Sequence, residues 1–186
     1  MALGEEPVEQ ALGAVCWQIA RHMRLWKRAI ELEAERFQVA GHEADTDLVE
    51  LETHFFAIAL NQVLRGGTWA KNVLEGQPEH RQVASAYNTF FRKVPDVVNV
   101  RHVLEHSIAH DTGADPDGSL KRNDSIPTPT PRGWDNGVFW ISSSRGALDE
   151  YRPYTLNVAD AAVEGVLLAD AVSAAVAAAS QRIAEA

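Results

Sequence analysis

Three of the seven histidines of this chain lie within nine residues of one another, at four-residue intervals. On an α-helix, residues at i, i+4 and i+8 share one face, so His102, His106 and His110 would line up there. Arg101 and Glu105 would lie on the adjoining edge of that helix. The 101–111 cluster comprises Arg101, His102, Glu105, His106, His110 and Asp111. This density of ionisable groups indicates a functional site; a polar helix face bordering a loop is the alternative.

The elements that position this cluster are mostly helices. Apolar residues recur at spacings of three and four, which is the pattern of amphipathic helices. Asp45 and its neighbours suit a helix start, Gly41 suits a position just past a helix end, and Gly66-Gly67 suit a break or kink. The predicted helices cover residues 8–40, from 45 to about 74, 78–94, from 95 to about 111, and 157–184. The cluster falls on the fourth.

Between the fourth and last helices the composition changes. Residues 112–133 are rich in Gly, Asp, Ser and Pro, and predict a long flexible surface loop. Residues 138–142 and 148–151 predict a β-hairpin turning at 144–146, preceded by a turn at 134–137. We therefore expect one mainly α-helical domain over residues 1–186: an up-and-down bundle of four to five helices with a short hairpin before the last.

Bulk properties restrict the function classes. The 186 residues carry a net charge of −9, and 46% are hydrophobic, which is ample for a core. An acidic chain argues against non-specific coating of nucleic acid, although a local site with a few arginines remains compatible. The acidic N-terminus lacks a secretory n-region, and three carboxylates interrupt the apolar stretch 159–179. We expect a cytoplasmic protein without a membrane span. The single cysteine, Cys16, predicts a small buried side chain.

The fourth helix resembles a known family. Following Pro95, the chain reads Val97-Val98-Asn99-Val100-Arg101-His102-Val103-Leu104-Glu105-His106. An arginine followed after four residues by a histidine on such a helix resembles the R-x4-6-H signature of HEPN domains. The resemblance covers mainly residues 45–111, and the last helix is compatible with it. The position after the arginine is commonly Asn in that family, whereas this chain has His102.

The resemblance implies a metal-independent endoribonuclease that works as a homodimer and needs no cofactor. Arg101 would bind the scissile phosphate, and His106 would act as general acid or base at the 2′-hydroxyl or the 5′-oxygen. We assign His102 to the same catalytic group, and Glu105, His110 and Asp111 to substrate binding. The implied setting is a bacterial toxin–antitoxin or phage-defence system, with RNA as substrate and a cognate antitoxin or nucleotidyltransferase-type protein as partner.

Two other functions remain open. His102 and His106, one helical turn apart, suit Zn²⁺ or Ni²⁺, and His54 on the second helix is the natural third ligand, as in DinB-like bundles. Alternatively, the chain resembles a HEPN-like interaction module without catalysis, which fits its acidic charge. A basic stretch at residues 21–28 is interpreted as a solvated helix face pairing with the glutamates of 31–35.

Overall fold

The computed structural model describes residues 6–43, 45–105, 132–141 and 153–185. Helices make up 82% of this part, and a small antiparallel sheet precedes the last helix, so the prediction of a mainly α-helical fold is confirmed. The elements are α1 (Glu6–Glu43), α2 (Thr46–Val73), α3 (His80–Lys93), α4 (Val97–Glu105), β1 (Arg132–Asp135), β2 (Val138–Ile141), β3 (Tyr154–Asn157) and α5 (Val158–Glu185). Three residues of the 101–111 cluster, His106, His110 and Asp111, lie outside the described residues.

The chain forms two compact units, and α1, α2 and α5 each run through both. Unit 1 consists of Met1–Leu32, Ala59–Pro95 and Asp160–Ala186. Unit 2 consists of Glu33–Ile58 and Asp96–Ala159. Unit 1 is therefore built from helices alone within the described residues, whereas unit 2 combines parts of α1 and α2 with α4 and the sheet. The prediction of a single domain stays a prediction.

In unit 1, glycines allow the helices to approach closely. A Cβ at Gly165 of α5 would lie 2.7 Å from Cδ2 of Leu60 and 2.8 Å from Cδ1 of Ile30. At Gly67 of α2 a Cβ would lie 3.0 Å from the Tyr87 ring. The side chains around these glycines are held at van der Waals distance, which is the density of a well-packed interior. Cys16 is fully buried here, as predicted.

Gly66 and Gly67 do not break α2, so the predicted break is wrong. The helix is continuous from Thr46 to Val73. Both glycines are buried, and a Cβ at Gly66 would collide with Sδ of Met23 on α1. The pair is therefore explained by tight packing of neighbouring side chains against the helix rather than by a turn. The turn comes at Gly76, between the predicted second and third helices, where φ is +79°.

The sheet of unit 2 differs from the predicted hairpin. Strand β2 begins at Val138 as expected, but it pairs with β1 on one side and β3 on the other. Asn136 and Gly137 connect β1 to β2 with φ of +48° and +80°, the signature of a tight two-residue turn. The end of the predicted loop, Arg132 and Gly133, is thus strand. Residues 112–131 and the predicted second strand at 148–151 lie outside the described residues.

One face of the sheet supplies the core of unit 2. Phe139, Ile141 and Leu156 are buried on this face, and α4 contacts both β2 and β3. Trp134 of β1 lies on the same face and places its ring against Gly41. Gly41 was expected just past the end of α1, yet the helix continues to Glu43. The glycine is explained by this contact, because a Cβ would lie 3.3 Å from the Trp134 ring.

Helix α5 is apolar along much of its length. Among the described helices it alone is long and apolar enough to cross a membrane by length and composition, and 39% of its most apolar window is buried. A core helix of a soluble protein meets the same criterion, so this is weak evidence for a membrane span. Its carboxylates include Asp170, which forms an ion pair with Lys27 in unit 1.

Candidate functional site

Helix α4 carries the part of the 101–111 cluster that the structure describes. Val97, Val100, Val103 and Leu104 are buried, which gives the short helix one apolar face. Asp96 precedes the helix, and its side chain accepts a hydrogen bond of 3.1 Å from the backbone N–H of Thr155 on β3. The helix is therefore anchored to the sheet by apolar packing along its length and by a polar contact at its start.

The remaining side chains of α4 are accessible and, apart from Val98, polar. Arg101 is half-buried, while His102 and Glu105 are exposed. The Arg101 Nε donates to Oε1 of Glu105 at 2.8 Å, and its Nη2 lies 2.6 Å from the same oxygen. Residues four apart on a helix are neighbours, so this ion pair follows from the spacing. Glu105 thus holds the guanidinium close to the last turn of α4.

The pairing leaves part of the Arg101 guanidinium available. Nε and Nη2 both contact the same oxygen, Oε1 of Glu105. Nη1 has no hydrogen-bond partner among the residues that the structure describes. A guanidinium has five donors in a planar fork, so one side of it can still bind an anion. With 32% of the side chain exposed, an anion can approach it from solvent.

The predicted site is only partly covered by the structure. Arg101, His102 and Glu105 lie on one helix as expected, and Arg101 and Glu105 are in contact. His106, His110 and Asp111 follow α4 in the sequence and lie outside the described residues. Their roles stay predictions.

His54, the third ligand of the metal-binding alternative, lies on α2 in unit 2. It is half-buried, and its ring stacks on that of Phe55, with 6.3 Å between the centroids and 27° between the planes. In the described ranges, no group of three or more His, Cys, Asp or Glu side chains is arranged to hold a metal ion. His54 makes an aromatic contact with Phe55, and no metal-binding group that includes His54 is found among the described residues.

A pair of glutamates inside unit 2 was missed by the sequence analysis. Glu33 of α1 is 9% exposed, and its Oε1 accepts a 3.0 Å hydrogen bond from Arg36. Glu52 on the facing helix α2 acts on this carboxyl through a side-chain hydrogen bond and through its charge, and both raise the pKa of Glu33. Oε2 of each glutamate is buried and has no hydrogen-bond partner among the residues that the structure describes. Two ionised carboxylates cannot form a hydrogen bond with each other, because neither has a donor; one of them must be protonated.

The environment of Glu33 favours its neutral form. Burial raises the pKa of Glu33 above its ordinary value of 4.5, and the hydrogen bond with Glu52 and the charge of Glu52 raise it further. The charge and hydrogen bond of Arg36 act in the opposite direction. The net effect raises the pKa of Glu33.

A sequence signal for this pair did exist. Glu33 lies between Ile30 and Phe37 at the three-four spacing of the apolar stripe of α1, so periodicity places it on the buried face. The interpretation of the glutamates of 31–35 as a solvated helix face disagrees with this periodicity. It is correct for Glu31, which pairs with Arg28 at 3.3 Å, and wrong for Glu33.

A second polar contact of unit 2 was also not expected. Arg132 Nε of β1 donates to Oε2 of Glu50 on α2 at 2.6 Å, and the two side chains are 26% and 28% exposed. This ion pair ties the first strand to a helix that precedes it by 82 residues. No local pattern predicts it, since it depends on the sheet being in place.

Comparisons with known proteins do not identify a family. No family model, no curated protein and no solved structure matches this chain. Any function assigned to it therefore rests on its own residues and on the resemblance of the 97–106 segment.

Proposed function

We propose that this chain is a HEPN-like protein that binds and cleaves RNA without a metal, using Arg101 and His106 from each protomer of a homodimer. The observation that supports this most is the presentation of Arg101. The guanidinium lies on a helix whose opposite face is buried and is held by Glu105, and its Nη1 has no hydrogen-bond partner among the described residues.

The proposed chemistry is transfer of the scissile phosphodiester to the neighbouring 2′-oxygen. The 2′-hydroxyl loses its proton as its oxygen attacks phosphorus, the bond to the 5′-oxygen breaks, and the departing oxygen takes up a proton. Arg101 would bind the non-bridging oxygens and stabilise their growing negative charge. His106 would serve one of the two proton transfers, and the partner's copy of the same histidine would serve the other.

His102, Glu105, His110 and Asp111 would take supporting roles. His102, exposed beside Arg101, would contact the RNA backbone. Glu105 positions the arginine in the structure, so we propose that it acts through Arg101 rather than on substrate directly. His110 and Asp111 keep the substrate-binding assignment made from the sequence. We further propose a cytoplasmic protein of a bacterial toxin–antitoxin or phage-defence system with a cognate protein partner.

A non-catalytic interaction module is the second candidate. The Arg101–Glu105 ion pair favours it, because a nearby carboxylate competes with phosphate for the same guanidinium. In this case the exposed polar edge of α4 would contact a protein partner. Cleavage assays separate the two candidates.

The test is cleavage of labelled single-stranded RNA by the purified protein in the presence of EDTA. We expect Arg101→Ala and His106→Ala each to reduce the rate by about a hundredfold or more, the scale of losing a charge-stabilising group or an acid–base group. Arg92→Ala, which removes an exposed arginine of α3, is the matched control and should leave the rate unchanged. Undiminished cleavage by both site variants, or no cleavage by the wild type, would contradict the ribonuclease proposal.

The composite site also requires a dimer. Light scattering should give about twice the 20.4 kDa mass of one chain. A monomeric mass at the concentrations used for cleavage would remove the two-protomer arrangement even if activity is present.

A further inference from the structure

The glutamate pair of unit 2 carries more negative charge than the described residues around it compensate. In the described part of the chain, the charged groups acting on Glu33 are Arg36 from its own helix and Glu52 from the facing one. Arg36 can balance one carboxylate. If both glutamates are ionised, one buried negative charge is left over and two buried oxygens have no donor.

Such a state is costly for two separate reasons. A buried carboxylate loses its hydration, and a like charge beside it adds repulsion in a medium that screens poorly. A single proton removes both penalties, because a protonated Glu33 becomes a donor and can bond to the carboxylate of Glu52. This carboxylic acid–carboxylate contact then leaves one net negative charge, which Arg36 offsets.

We propose that Glu33 and Glu52 share one proton in the folded protein, and that loss of this proton loosens the contact between α1 and α2 within residues 33–58. The pair would thus make unit 2 responsive to pH. This inference is independent of the proposed RNA cleavage, since neither glutamate belongs to the 101–111 cluster.

The direction of the response follows from the linkage of protonation to folding. The pKa of Glu33 is raised in the folded state, so the folded protein retains this proton at a pH where the unfolded chain has released it. The stabilising contribution of the pair is full below the ordinary carboxyl pKa of 4.5 and is lost as pH rises through the raised pKa. Unit 2 is therefore expected to lose stability towards alkaline pH.

The first experiment measures the proton directly in the wild-type protein. We would follow the glutamate side-chain carboxyl carbons by ¹³C NMR from about pH 3 to about pH 9, a range that covers ordinary and raised carboxyl pKa values. One resonance should titrate above the others, disappear in Glu33→Gln and shift towards ordinary behaviour in Glu52→Gln. If all glutamate carboxyls of the wild type titrate in the ordinary range, the proposal is wrong.

The second experiment measures how the stability of the protein depends on pH. Glu52→Gln supplies a neutral amide that can donate to Glu33 permanently, and Glu35→Gln, on α1 like Glu33 but exposed, is the matched control. Between about pH 5 and about pH 8 we expect the midpoint of thermal unfolding to fall in the wild type and in Glu35→Gln, relative to Glu52→Gln. Parallel curves for all three proteins would contradict the proposal.

Hydrogen exchange locates the effect. At about pH 8, peptides from residues 33–58 should exchange faster in the wild type than in Glu52→Gln, while peptides from α3 should exchange equally. A divalent cation is the competing occupant of the pair. If Mg²⁺ or Ca²⁺ slows exchange of the 33–58 peptides in the wild type but not in Glu52→Gln, the pair is a cation site and proton sharing is overturned.

Discussion

Carboxyl groups are paired with cations in unit 1, including the largely buried Glu79, whereas in unit 2 the buried carboxyl of Glu33 lies against a second carboxyl. Lys27 and Asp170 of unit 1 are 32% and 54% exposed, and the helices meet through glycines and aliphatic side chains. In unit 2, Glu33 is 9% exposed, and Glu50 is only about a quarter exposed. Arg101 also belongs to unit 2.

The difference indicates how stability and chemistry are divided along one chain. Apolar packing stabilises without directional requirements and involves no titratable group, so the apolar core of unit 1 should respond little to pH and salt. Buried polar groups are stable only when every partner is in place, which makes unit 2 sensitive to single charges. Polar groups placed where an apolar residue would be more stable are common at functional sites. This supports looking for activity in unit 2.

Among the substitutions that test this comparison of the two units, we expect the largest change in the free energy of unfolding from one in the core of unit 1. Leu168 of α5 is 1% exposed and packs beside Gly67. Leu168→Ala removes buried methyl groups and leaves a cavity, so we expect it to lower the free energy of unfolding by about 2–5 kcal/mol. Chemical denaturation at several pH values measures this. Because no titratable group is involved, the loss should be the same at each pH.

The neighbouring leucine is the control for that prediction. Leu167 is 56% exposed, so Leu167→Ala should change the free energy of unfolding by no more than about 0.5 kcal/mol. Equal losses for the two variants would mean that Leu167 is covered in solution, for example by a second protomer. A loss at Leu168 that depends on pH would contradict the apolar description of unit 1.

The helices of this protein could be predicted from sequence because each carries its own periodic pattern. The apolar stripe of α1, the cap at Asp45 and the start of α4 after Pro95 are local signals, and the structure has a helix at each of them. Asp45 Oδ1 indeed accepts the backbone N–H of Leu48 at 3.0 Å. The predicted end of α1 was less accurate, because Gly41 makes room for the Trp134 ring instead of ending the helix. In the sequence, a glycine required for packing cannot be distinguished from a glycine that ends a helix.

The sheet and the buried charges could not be predicted in the same way. Strand β1 has only four residues, one of them Gly133, and shows no alternating apolar pattern. It is held by pairing with β2 and by Trp134 against Gly41, a contact between residues far apart in sequence. Similarly, Glu33 has an apolar periodicity but a charged side chain. The periodicity predicts burial and the charge predicts exposure. The choice between them depends on contacts with another helix, which the local sequence does not contain.

An intermediate effect is expected from the ion pair that ties β1 to α2. Glu50→Gln keeps the shape of the side chain but removes the charge facing Arg132, and we expect a loss of about 1–2 kcal/mol in the free energy of unfolding. This lies between the values for exposed pairs and for fully buried ones. Denaturation of the wild type and the variant at low and high salt measures it.

The salt dependence distinguishes this pair from a surface contact. Screening by salt acts weakly on partly buried charges, so most of the loss should persist in high salt. If the difference between wild type and Glu50→Gln vanishes there, the pair is solvated and unit 2 differs less from unit 1 than proposed.

The smallest effect is expected at the surface of unit 1. Lys27 Nζ lies 2.7 Å from Oδ1 of Asp170, and the Asp170 side chain is 54% exposed. Solvent screening and the entropy lost in ordering the lysine offset most of the attraction, so Asp170→Asn should cost no more than about 1 kcal/mol. Denaturation at low salt should detect the loss, and high salt should abolish it. A cost as large as that of Glu50→Gln would mean that unit 1 also depends on its charges, and the contrast between the two units would then fail.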